Sequence, residues 1–166
     1  GLAPDKFFSV PNGIVKEDWD KPAELPAEHQ QLIENLKSQD RFLVAFAGAH
    51  GIANSLPSII DACASLQEKG VSLLLVGTGQ EKEKLIQYTQ NQGYKNIHFL
   101  PAINKHSIPT FLRQMDVLYV GLQRQSLFRF GSSPNKIFDY MMAAKPIIQA
   151  IDSGNDLIGE AECGIT

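Results

Sequence analysis

Lys136 and Asp139 stand three residues apart in the stretch GSSPNKIFDYMMAAKP, residues 131–146. Ser133 suits an N-cap and Pro134 the first helical position, so a helix is expected to start there. Ile137, Met141 and Ala144 would form its buried face, and Pro146 stops it. Lys136 then sits in the first turn, where a cation opposes the helix dipole. That placement makes sense when an anion shares the helix end. Arg124 and Arg129 lie upstream, and no Asp or Glu occurs from Val117 to Phe138. The expected chemistry is the holding of a phosphate-bearing ligand; the bland alternative is a solvated basic loop. Asp139 lies on the same helix side as Lys136. Its ordinary role would be an ion pair worth about 0.3 kcal/mol. Its functional role would be to accept from two neighbouring hydroxyls, such as a ribose diol.

A second candidate is Gly48-Ala49-His50-Gly51. It has the glycines of a phosphate loop but matches neither G-x-G-x-x-G nor G-x-x-x-x-G-K-[ST]. His50 reads as a surface or turn residue, His98 as a structural strand residue, and His29 and His106 give no signal. No Ser-His-Asp, Cys-His or paired-His arrangement emerges, so no catalytic residue is assigned. Cys63 and Cys163 have no metal spacing and form no disulfide framework. Cys63 is expected in the core, and a reducing, cytoplasmic setting is the default.

These residues need elements to hold them. Residues 42–47, 71–76, 97–100, 117–120 and 147–151 read as strands, the first two as apolar runs covered on both faces. Residues 7–10 read as a short strand before the turn Pro11-Asn12-Gly13, and residues 16–28 as a loop. Helices are expected over residues 28–39, from Asn54 or Ser55 to Lys69, over 81–92, from Ser107 to Met115, and from Gly154-Asn155 onward. The alternation predicts a doubly wound, mostly parallel α/β sheet, Rossmann-like. Ligands of such sheets bind beyond the carboxyl ends of the strands. The loops at residues 48–51, 77–79, 101–103 and 122–133 should share that edge.

The chain has 166 residues, 43% hydrophobic and 20% charged, with a net charge of −3. That suits one soluble domain and excludes a broadly basic nucleic-acid binder. No run is long enough to span a membrane, and no signal peptide is visible. The absence of a first methionine, and the ending at Cys163-Gly164-Ile165-Thr166, suggest a domain cut from a longer protein at both ends.

The segments, in order, resemble the C-terminal, donor-binding half of a GT-B-fold glycosyltransferase of group 1 (family 4). Ser9–Ile14 is similar to I-P-N-G-V, and Phe46-Ala47-Gly48 with Asn54–Leu56 to the family's first strand, loop and helix. Leu74–Gly79 is similar to L-x-I-V-G-x-G and Asn96–Pro101 to N-V-x-F-x-G. Asp116–Val120 is similar to A-D-x-x-V and Asp139–Ile148 to E-x-M-A-x-G-x-P-V-I. The resemblance covers nearly the whole chain. It implies binding of a nucleoside-diphosphate sugar, UDP-sugar being the expected donor, with no cofactor and no metal.

Asp139 falls on the second Glu of the family's E-x7-E, which holds the ribose. Gly131 falls on the first, which touches the sugar. The usual Arg and Lys of the first loop are missing. Lys136, with Arg129, Ser133, Asn135 and Gly51, would take over the phosphates, and His50 or Gly131 would meet phosphate or sugar. Gly77, Pro101, Ala102 and Ile103 would offer backbone to ribose and base. The form S-P-N-K-x-F-D-Y resembles a branch linked to bacterial surface polysaccharide synthesis. The expected reaction is hexosyl transfer, with retention, to an acceptor hydroxyl. The acceptor, a saccharide or lipid-linked saccharide, would be bound by a missing N-terminal domain. The domain alone should be inactive. The whole protein has room for peripheral association at the inner membrane face.

Two alternatives stay open. One is a non-catalytic homologue that binds a nucleotide or a protein partner, which Gly131 favours. The other is an NAD-type Rossmann domain, which the missing glycine motif disfavours.

Overall fold

The computed structural model describes Lys6, Phe8, Val10 and residues 12–166. The expected strand at residues 7–10 falls mainly on residues outside those described. Five strands match the apolar runs: β1 (Phe42–Ala47), β2 (Val71–Val76), β3 (Ile97–Leu100), β4 (Val117–Gly121) and β5 (Ile147–Ala150). A two-residue β6 (Gly164–Ile165), too short and exposed to leave a sequence signal, joins the β5 edge. All pairs are parallel, in the order β3-β2-β1-β4-β5-β6. The order reverses between β1 and β4, the point where doubly wound sheets place their ligands.

Helices cover both faces, which is why β1 and β2 are apolar without alternation. Leu43, Ala45, Leu74 and Val76 face α2 (Ala27–Ser38), α5 (Ile108–Arg113) and α6 (Lys136–Met142). Val44, Phe46, Leu73 and Leu75 face α3 (Leu56–Ala64) and α4 (Lys82–Gln92).

The structure corrects several expected helix ends. α6 begins at Lys136, not after a Ser133 cap. The reason lies in the neighbours: the Ser133 carbonyl accepts from Asn12 Nδ2 at 2.8 Å, and Ser132 is tied to Asn155. Its buried face is Ile137, Tyr140 and Ala143 rather than Ile137, Met141 and Ala144. Ala144 has φ +53 and closes the helix. The expected loop at 16–28 holds α1 (Glu17–Asp20), a single turn formed around buried Trp19. Ser55 and Ser107 precede α3 and α5 without capping through their side chains, Ser107 Oγ donating instead to the Glu24 carbonyl. The last helix, α7 (Leu157–Glu160), starts after an Asp156 cap, not at Gly154-Asn155.

Tyr140 ties α6 to the ligand edge of β1. Its hydroxyl accepts the Ala47 N–H at 3.1 Å, and its ring is fully buried. Tyr140→Phe leaves that buried N–H without a partner, a cost of about 1–2 kcal/mol. Urea unfolding should show this as a lower midpoint at an unchanged slope.

Candidate functional site

The ligand edge is built from backbone before any side chain is placed. The loops after β1 and β2 lie against each other: Gly48 N donates to Val76 O at 2.9 Å and His50 N to Thr78 O at 2.7 Å. Gly77 has φ +146, and a methyl there would strike the Gly48 carbonyl. The seam therefore requires glycine. Beside it opens a cavity of about 200 Å³ lined by Gly48, Ala49, Gly77, Thr78, Ala102, Ile103 and Ile108. Gly77, Ala102 and Ile103 are thus brought together. Pro101 is held outside this lining, its carbonyl 2.9 Å from His29 Nε2. Gly51 also stands apart, opening the turn Ile52–Asn54.

Lys136 meets this cavity at its Gly48 wall. A methyl on Gly48 would stand 3.0 Å from Lys136 Nζ. The ammonium lies 3.8 Å from the Phe46 ring centroid, and its one side-chain hydrogen bond among the described residues is a long 3.5 Å contact to Asn54 Oδ1. The expected ordinary pairing with Asp139 is not formed: among the described residues, no ion pair includes Lys136. Burial without a counter-charge lowers its pKa to about 8.

Asp139 and Asn135 line a neighbouring cavity of about 260 Å³, walled by Asn12, Gly13, Asp18, Trp19 and Lys105. Burial raises the Asp139 pKa, while hydrogen bonding from Trp19 and the charge of Lys105 act the other way. Lys105 is itself held by Asp18 at 2.6 Å. Gly131 and Ser133 belong to a third, shallow depression with Phe130, Ser132 and Asn155. Arg129 is exposed and stacks 4.6 Å from the Phe130 ring centroid. Arg124 adds less free charge than the sequence suggests, because it pairs with Asp152 at 2.7 Å.

His50 is not the surface residue expected. Its ring is fully buried between Phe46 and Phe99, each 6.1 Å away, and neither ring nitrogen has a partner among the described residues. The loop turns it inward because its backbone pairs with Thr78 and Glu81. Burial, then the charges of Lys82 and Lys136, lower its pKa to about 4. Lys82 is a residue that sequence reading missed. It donates to the Gly77 and Leu100 carbonyls at 2.8 and 2.6 Å, holding the ends of β2 and β3 together. Its place in the first turn of α4, after a glycine loop, was the available signal. Trp19 was legible only as a lone aromatic in a polar stretch.

The arrangement offers a free ammonium beside a backbone-lined cavity and, in the next cavity, a carboxylate able to accept from hydroxyls. Among the described residues, no group of His, Cys, Asp and Glu is arranged to hold a metal, and no helix is long and apolar enough to cross a membrane.

Comparison with known proteins places these observations. The family model "Glycosyl transferases group 1" matches residues 41–166. No curated protein matches the chain. Among solved structures, it is similar to WaaG, a glycosyltransferase involved in lipopolysaccharide biosynthesis, at 20% identity and a TM-score of 0.69. That match covers 98% of this chain and 43% of WaaG. HepE from Anabaena, in complex with UDP-glucose, matches at 20% identity and 0.64, over 93% of this chain and 42% of HepE. The catalytic domain of the cholesterol-α-glucosyltransferase from Helicobacter pylori matches at 18% and 0.57, over 72% of this chain and 70% of that one. The chain thus spans less than half the length of WaaG and HepE. The shared architecture is that of GT-B glycosyltransferases.

Proposed function

The chain belongs to the group 1 glycosyltransferases, and on that premise we propose that its ligand edge binds the nucleoside diphosphate of a sugar donor. One observation carries the reading: Lys136 is a half-buried ammonium with no counter-charge among the described residues, set against the Gly48 wall of the cavity. Such a group is costly to keep unless an anion meets it. The diphosphate is that anion, and UDP is the expected one. As the sugar departs, negative charge grows on the diphosphate, and a preorganised ammonium stabilises it.

In this reading Asp139 accepts from the ribose hydroxyls, and the backbone at Ala102 and Ile103 meets the base. The whole protein would pair this donor half with an acceptor half. It would transfer a hexose, with retention, to a saccharide or lipid-linked acceptor in bacterial surface polysaccharide synthesis, at the cytoplasmic face of the membrane. The 166-residue chain alone would bind donor without turnover. Gly131, at φ +107 and facing Asn155, favours a second reading, a homologue that kept the nucleotide and lost the transfer.

Calorimetric titration of the chain with UDP, GDP, ADP and NAD, without added metal, tests the proposal. Selective binding of one nucleoside diphosphate supports it; preference for NAD, or no binding, overturns it. Asp139→Asn should weaken the preferred nucleotide about threefold to tenfold, less than the full worth of a charge-assisted hydrogen bond because the amide keeps one acceptor oxygen. The 2′,3′-dideoxy form should bind both proteins alike. An equal loss for both forms would take Asp139 out of ribose recognition.

A further inference from the structure

We infer that the chain carries a second ligand site, at the amino edge of the sheet, and that it takes a small carboxylate. This does not rest on the donor reading. A cavity of about 420 Å³ opens where the end of α2 leaves the starts of β1, β2 and β3 uncovered. It is within the size range of small-molecule sites and about twice the volume of the cavity beside Gly48.

Its walls are polar and arranged for an oxyanion. Arg41 donates Nε to the buried Ser72 Oγ at 3.0 Å and Nη2 to the Val71 carbonyl at 3.0 Å. These bonds fix the guanidinium plane and leave the rest of its N–H fork unspent. Among the described residues, neither Arg41 nor Lys95 is paired with a carboxylate. His98 lines the same wall, its Nε2 closed off behind it with no hydrogen-bond partner among the described residues. A fixed guanidinium and an ammonium outside any ion pair around one cavity call for an anionic ligand.

Glu68, at the rim, sets the charge of that ligand. It opposes a doubly charged phosphate and tolerates a carboxylate whose other end carries hydroxyl or amino groups. The side chains of Asn35 and Gln39, also on the wall, suit such groups.

The test is a titration of the ¹⁵N-labelled chain with glycerate, a hydroxylated monocarboxylate, at ionic strength matched with sodium chloride, followed by amide NMR. The expected result is saturable shifts at Arg41, Ser72, Lys95 and His98 in the millimolar range. Arg41→Lys, which cannot present a planar fork, should weaken binding about tenfold. Lys95→Gln, an exposed change that leaves the fold intact, should weaken it about threefold. Shifts that do not saturate, that cluster instead at Gly48, Gly77 and Lys136, or that persist unchanged in Lys95→Gln overturn the site. Tighter saturation of the same amides by inorganic phosphate overturns the choice of carboxylate.

Discussion

Lys136→Met should make the chain more stable and worse at binding. At neutral pH both the folded and the unfolded chain hold the Lys136 proton, yet the folded pKa is about 8 against an ordinary 10.5. The folded state therefore carries the full penalty of the buried charge below pH 8. It sheds that penalty only as pH rises from 8 towards 10.5. Removing the charge should stabilise the fold by about 1–2 kcal/mol, after discounting for the side chain's partial exposure. The same change should weaken UDP by roughly tenfold to a hundredfold, since a hydrogen bond to a charged group is worth about 1.5–3 kcal/mol. Opposite signs in unfolding and in calorimetry mark a residue kept for a ligand. Wild-type affinity should also fall as pH rises above 8, because the neutral amine must first take up a proton. That slope should vanish in the variant. Loss of stability with unchanged affinity would assign Lys136 to the fold alone.

Acid should loosen the same edge through His50. Its folded pKa is about 4 against an ordinary 6.5, so between those values the unfolded chain binds the extra proton. Stability is whole above about pH 6.5 and drains as pH falls to about 4, by about 3 kcal/mol for this one group. His50→Met keeps an apolar fill between Phe46 and Phe99 and removes the titration. Guanidinium unfolding at pH 7 and at pH 4.5 should show a smaller difference between the two pH values in the variant than in the wild type. Equal differences would mean that the carboxylates alone govern the acid response.

Much of the frame was legible because its signals are local. Apolar runs bounded by glycine gave β1 and β2, and the loops that follow the strands gave the ligand edge. Lys136 was legible because a cation early in a helix is locally wrong. What stayed hidden depends on residues far apart in the chain. His50 is buried because two loops nearly thirty residues apart pair their backbones. Trp19 is buried in its helix turn beneath Arg113, which lies 5.3 Å from the ring centroid and 94 residues away in the chain. Ser133 has the right chemistry for a cap, but Asn12 and the Asn155 region hold its segment elsewhere. Tyr140 carried no signal of its own, because the partner of its hydroxyl, the Ala47 N–H, lies far away in the chain.

The tie between Ser132 and Asn155 bears on how this loop changes in descent. Asn155 accepts the Ser132 N–H at 2.8 Å, donates to the Ser132 carbonyl at 3.0 Å and is braced by Ser153 at 2.6 Å. Gly154 packs so closely that a methyl would strike the Arg129 carbonyl. Residues 131–133 thus take their shape from residues 153–155, and neither stretch can drift alone. Among related sequences the two should be inherited as a pair, with replacements at Asn155 accompanied by replacements at Gly131 or Ser132. A graft of the S-P-N-K stretch into a relative would need the distant Ser153-Gly154-Asn155 as well.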